Sequence, residues 1–127
     1  MPPGGDGAQL ERDVSEATDV VDRQIAAFRD RDLERYLGFF SADVRVRDFD
    51  GNVLMDGLEA MRGAYGPLFR DSPHLRVEIP RRMVAGDYVV DEEELSGFIQ
   101  AGFPSAMRAV VVYRVRKGLI HDLVLLM

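Results

Sequence analysis

Apolar positions along this chain recur with two different periods, and each change of period marks a new element. Val20, Val21, Ile25 and Phe28 fall on one arc of a helical wheel turned by 100° per residue. They predict a helix from about Val14 to Asp30, with Ser15 or Thr18 as its cap. Gln24 lies inside that apolar arc, where an amide must find a partner or line a cavity. Leu33, Tyr36, Leu37 and Phe40 follow at helical spacing behind Asp32 and predict a short, Asp-capped second helix. The period then drops to two from Asp43 to Phe49, Asp50-Gly51 is a hairpin turn signal, and Asn52 to Met55 is the return strand. Asp56 and Glu59 have capping-box spacing ahead of a third helix, whose buried stripe is Leu58, Met61, Tyr65 and Leu68. Gly66-Pro67 should end or kink it. Three longer strands come next, over Leu75–Val84 (with a bulge at Pro80), Asp87–Phe98 and Met107–Arg116. Lys117-Gly118 turns into a last strand, Leu119–Met127. Three N-terminal helices against a curved antiparallel sheet make an α+β fold, shaped as a cone with an open mouth where a pocket forms readily.

Composition narrows the functions this fold can serve. The 127 residues suit one domain, read as a flexible tail over residues 1–13 and a single domain over 14–127. A formal net charge of −6 argues against nucleic-acid and anionic-membrane partners. There is no cysteine, so disulfides, thiolate catalysis and cysteine metal sites are excluded. No apolar run approaches the roughly 20 residues of a membrane span. The first seven residues, Met1 to Gly7, lack the features of a signal peptide, which makes cytoplasmic the default location.

Candidate chemistry centres on carboxylates. In the strand Val44-Arg45-Val46-Arg47-Asp48, alternation puts Val44, Val46 and Asp48 on one face and the arginines on the other. A carboxylate closing an apolar row is suited to proton transfer at a cavity mouth, or else bonds to backbone in the following turn. His74 lies in a loop, and His121 and Asp122 point to opposite sides of the last strand, so no metal site is expected. Without a glycine-rich fingerprint, P-loop or nucleophile elbow, no cofactor is expected either.

Four segments, Ala27–Leu33, Phe40–Asp48, Asp56–Met61 and Tyr113–Ile120, resemble the nuclear transport factor 2-like superfamily in its SnoaL-like and ketosteroid isomerase-like branch, over residues 18–127. The resemblance implies a cone-shaped, cystatin-like roll. It places the isomerases' general-base aspartate on Asp48, their helix-one tyrosine on Gln24 and their second oxyanion donor on Val111, with Tyr65 as a substitute donor. It also implies an inward set of Val90, Glu92, Glu94 and Phe98 on one strand, and Ala109, Val111, Tyr113 and Val115 on the next. Catalysis is therefore expected of Asp48, Glu92 and Glu94. If the register slips by one residue, Asp91 and Glu93 face inward instead. Tyr36, Phe40, Phe69, Phe98 and Tyr113 are the aromatic candidates for substrate contact. Epoxide hydrolysis in this superfamily pairs two aspartates with an arginine, and the alternation places no arginine inward. Members commonly form homodimers through the outer sheet face, here Val110, Val112 and Arg114. Two functions are compatible: a cofactor-free isomerase, dehydratase or cyclase for a small apolar carbonyl compound, or a non-catalytic binding or dimerisation module.

Overall fold

The computed structural model describes residues 6–127. Helices α1 (Asp6–Arg29) and α2 (Leu33–Leu37) precede strands β1 (Phe40–Asp48) and β2 (Val53–Asp56). Helix α3 (Leu58–Asp71) then leads into β3 (Arg76–Ala85), β4 (Tyr88–Ser96), β5 (Ala106–Arg116) and β6 (Leu119–Leu126). The six strands form one sheet in the order β2-β1-β6-β5-β4-β3. Every neighbouring pair is antiparallel except β1 and β6, which run parallel. Among the described residues, no helix is long and apolar enough to cross a membrane.

Helix α1 buries Ala17, Val20, Val21, Gln24, Ile25 and Phe28, the face set by its periodicity. It begins at Asp6 rather than Val14, so Ser15 and Thr18 lie within it and not at its start; of the expected tail, residues 1–5 lie outside the described residues. Its end is a Schellman turn: Arg31 adopts φ 54°, its N–H donates to the Phe28 carbonyl, and the Asp32 N–H donates to the Ala27 carbonyl. Asp32 caps α2 by accepting from the Arg35 N–H at 3.2 Å.

Two local expectations fail for identifiable reasons. Asp56 does not cap α3, because the β-ladder uses it as the last residue of β2, opposite Arg45. Gly57 opens the helix instead, without a side-chain cap, and its N–H donates to the Val44 carbonyl at 2.7 Å. Nor does Pro67 end α3, which runs on to Asp71. The carbonyl that loses its helical partner is that of Gly63, on the exposed side of the helix where water can serve it.

The bulge expected at Pro80 is present, on an edge strand. Before it, Val77 faces the core; after it, the register against β4 shifts, so Arg82 and Val84 turn inward while Arg81 and Met83 are exposed. That one extra residue places an arginine on the inner side of the sheet.

The loop from 97 to 105 carries Phe98 and Phe103 over one end of the sheet. Buried Ser72 holds it by accepting the Ile99 N–H at 3.0 Å. Gly97 has φ +77°, and a Cβ there would lie 2.1 Å from the His74 carbonyl oxygen. Gly97→Ala is therefore expected to cost at least ~2 kcal/mol, from left-handed backbone plus a clash with main chain that cannot swing away. Chemical denaturation of the variant checks this.

Candidate functional site

Between the inner face of the sheet and the three helices lies a cavity of about 300 Å³. Its walls are mostly apolar, with Phe28 from α1, Leu68 from α3, Val111 from β5 and Leu123 from β6 among them. Leu54 and Phe103, about half exposed, and Met127, exposed more fully, line it and so rim its mouth. Among the lining residues Glu93 is the only acid, and there is no lysine, arginine or histidine.

Glu93 owes its position to the register between β4 and β5. Asp91 pairs with Val111 and Glu93 with Ala109, so the inward face of β4 is Val89, Asp91, Glu93 and Leu95. The inward set expected on β5 is found as expected: Ala109, Val111, Tyr113 and Val115 are all buried. The set expected on β4 is not. Glu92 and Glu94 occupy the outer face, where Glu92 lies 3.7 Å from both Arg81 and Arg108, and Glu94 lies 3.0 Å from Arg108. Antiparallel partners share a face, so strands that pair 91 with 111 cannot turn Val111 and Glu92 inward together. Ala109 also leaves room opposite the Glu93 carboxyl.

The electrostatics of Glu93 follow from this burial. It is 6 % exposed, and its Oε2 accepts from the Tyr113 hydroxyl at 2.8 Å. Burial is the largest influence and raises its pKa; the Tyr113 hydrogen bond opposes it, Asp91 raises it further, and Arg82 and Arg29 lower it. The outcome is a carboxyl pushed up to about 7. Near neutrality it is divided between acid and base, the condition general acid–base work needs.

Three tyrosines, the buried Gln24 amide and the exposed Gln100 complete the polar set. Tyr36, Tyr65 and Tyr113 are each pushed above the ordinary phenol range, mainly by burial, and so remain neutral hydrogen-bond donors. Tyr36 and Tyr65 are hydrogen-bonded to each other in the sense that keeps the proton on Tyr36, and the Gln24 amide donates to Tyr36. With Tyr36 donating to Tyr65, the Tyr65 O–H is free to donate into the cavity that Tyr65 lines.

Of the residues singled out from the sequence, Gln24, Tyr36, Tyr65, Phe98, Val111 and Tyr113 come together around the cavity. Phe40 and Phe69 do not line it; both are 3 % exposed and pack against the ring of Tyr36, with centroids 5.0 and 5.4 Å away. Asp48 does not line it either. It pairs with Leu125 at the end of β1, but its carboxylate turns onto the β1–β2 hairpin, accepting from the Asn52 N–H and the Asn52 Nδ2, both at 2.9 Å. Those Asn52 bonds hold it below the usual carboxylate range, which makes it a poor base.

Arg82 is an inward arginine, although alternation along the sequence places none there. It donates to Asp91 through two nitrogens at 2.7 and 2.9 Å, and to Asp22 at 2.6 Å. This arginine with two aspartates sits behind the cavity wall, for none of the three lines the cavity and Asp22 is exposed. No cluster of histidine, aspartate and glutamate among the described residues could hold a metal ion.

The sequence profile of the SnoaL-like domain matches residues 21–123. No match was found among curated protein sequences. Among solved structures, a cystatin-fold protein from Novosphingobium aromaticivorans is 21% identical with a TM-score of 0.77, over 87% of this chain and 97% of that one. A SnoaL-like protein from Jannaschia sp. CCS1, proposed to be a polyketide cyclase, is 17% identical with a TM-score of 0.71, over 89% of this chain and 85% of that one. A LEH-like epoxide hydrolase from M. tuberculosis is 16% identical with a TM-score of 0.70, over 89% and 83%. At these identities the likeness concerns the fold.

Proposed function

The chain belongs to the SnoaL-like domain family, and from that premise we propose that it is a cofactor-free acid–base enzyme for a small, largely apolar carbonyl compound. The observation that carries this reading is Glu93, a carboxyl with a pKa near 7 in an apolar cavity, held in place by the Tyr113 hydroxyl. Its ionised form takes a proton from the carbon next to the carbonyl. The oxygen that gains charge accepts from the Tyr65 O–H, and the carboxylic acid returns the proton to the same or another carbon. Isomerisation, dehydration and ring closure all begin with that proton transfer. The walls suit a neutral ligand, since an anion would meet Glu93 with no cation beside it.

The test is deuterium exchange from solvent into the α-carbon of small apolar ketones, followed by proton NMR. The exchange rate is expected to rise with pH through about 7 as Glu93 ionises. Glu93→Gln should remove it, and Asp48→Asn should leave it at the wild-type level. Ketone binding without exchange in the wild type would sink the catalytic reading and favour a binding module.

The outer sheet face supports a second copy of this chain as a partner. Val90, Val112 and Val124 are in register across β4, β5 and β6, with Met83 beside Val90, and the Arg81–Glu92–Arg108 charges flank them. An apolar stripe bordered by both signs of charge is self-complementary under two-fold symmetry. Val112→Glu is expected to convert a dimer to a monomer in sedimentation or light-scattering measurements. A wild type that sediments as a monomer would overturn the assignment.

A further inference from the structure

Gln24 contains a polar atom that the protein itself leaves unserved. The side chain is 3 % exposed, sits on α1 between Val20 and Phe28, and lines the cavity. Its amide nitrogen donates to the Tyr36 oxygen. Its carbonyl oxygen Oε1 is buried and accepts no hydrogen bond from any protein group. Buried acceptors in native folds are almost always served, and an exception inside a cavity points to a donor arriving with the ligand. No protein group takes that role: the Tyr36 proton is committed to Tyr65, the Tyr113 proton to Glu93, the Tyr65 hydroxyl and the Gln100 amide line the cavity without bonding to Oε1, and no basic side chain lines it.

We propose that Gln24 is a specificity-determining residue and that the substrates are hydroxylated carbonyl compounds, whose O–H donates to Gln24 Oε1 while the carbonyl group lies at Tyr65 and Glu93. This rests on the reading of Glu93 and Tyr65 given above and adds a second polar anchor to it. The chemistry discriminates among ligands of one shape. A hydroxyl brings the missing hydrogen. A deoxy analogue leaves Oε1 unpaired in a dry site, and a methyl ether brings another acceptor against it. Gln24 thus acts as an acceptor, whereas the resemblance to the isomerases had placed an oxyanion donor at this position.

The experiment is calorimetric binding of the ortho, meta and para hydroxyacetophenones, of acetophenone, and of the matching methoxyacetophenones, at pH 6 where the phenols are neutral. At least one hydroxylated isomer is expected to bind about tenfold tighter than both its deoxy and its methoxy partner, the worth of one buried hydrogen bond. Gln24→Met, unbranched and suited to a helix, should bring that ratio close to one. Glu93→Gln should keep the ratio while losing proton exchange, which separates failure of the base from failure of the anchor. Equal binding of all three ligand types by the wild type overturns the proposal, since it means that water serves Oε1. A preference for the ether overturns it too, since the amide N–H₂ would then face the ligand. So does a hydroxyl preference that survives Gln24→Met, or no binding by any of the set. If Gln24→Met does not fold, the wild-type ratios decide.

Discussion

Glu93→Gln is expected to make the protein more stable at pH 8 while removing its proton-transfer activity. The two effects have one cause. Glutamine keeps the shape of the side chain and an oxygen to accept from Tyr113, but it can neither ionise nor carry a proton between carbons. General acid–base catalysis by a placed side chain is worth about 10²–10⁴ in rate, and that factor is the expected loss. For stability, the folded carboxyl has a pKa of about 7 against a model value of 4.5. Below the lower value both the folded and unfolded chains are protonated, and the group contributes nothing. Between the two values the native state holds a proton that the unfolded chain has released, so stability falls as pH rises. Above about 7 both are ionised, and the full cost of a buried carboxylate is present, on the order of 3 kcal/mol. Glutamine resembles the protonated acid at every pH. The wild type and the variant should therefore melt together near pH 4.5 and diverge on the way to pH 8, with the variant the higher by on the order of 10 °C. Thermal unfolding across that range checks it. Curves that stay parallel would mean that Glu93 titrates as an ordinary surface acid.

Such a cost at a single buried group is common at functional sites, where activity is kept at the expense of stability. Its position is consistent with that. Glu93 faces the cavity from the middle of β4, paired with Ala109 on β5 and opposite the β3 bulge.

How much of this was legible in the sequence depends on the element. The helix stripes were readable because each helix has only one apolar face; on β5, where Val110 and Val112 make the outer row apolar as well, the inward set followed from the family resemblance. Strand β4 is ambiguous: its inner row is Val89, Asp91, Glu93 and Leu95, its outer row Tyr88, Val90, Glu92 and Glu94, and each holds two acids. Periodicity cannot choose between them. The parity of the 97–105 loop can, since an odd number of loop residues pairs odd positions with odd ones, and β5 turns its odd positions inward. That signal was present in the sequence, but it needs strand ends known to the residue. Asp48 shows a different limit. Its face follows from alternation and the β6 register, but a short carboxylate at a strand end is easily captured by the hairpin beside it, and Asn52 supplies two donors. Arg82 needed both facts together: the bulge was readable from Pro80, but its consequence for the residues beyond it depended on which face of β4 turned inward.

Arg82→Met is expected to cost about 3–5 kcal/mol, because it would strand a carboxylate with no route to water. Asp91 is fully buried, at 0 % exposure, and both of its oxygens accept from the Arg82 guanidinium. The partners face each other directly across β3 and β4, an arrangement made possible by the Pro80 bulge. Asp22 adds little to the balance, since its carboxylate is 60% exposed and a surface pair is screened by solvent. Removing the carboxylate as well should reverse the loss. Two apolar side chains of similar volume need no desolvation, so the double variant Arg82→Met/Asp91→Leu should recover most of the stability lost in the single one. Urea unfolding of the single and double variants measures the difference as a coupling energy. A double variant no more stable than Arg82→Met alone would show that the guanidinium is needed for packing along β3 rather than for neutralising Asp91. The pair also sits next to the site: Asp91 raises and Arg82 lowers the Glu93 pKa, so together they change it less than either charge would alone. Removing the guanidinium alone takes away one of the influences that lower it, so the midpoint of proton exchange against pH in Arg82→Met is expected to move above that of the wild type.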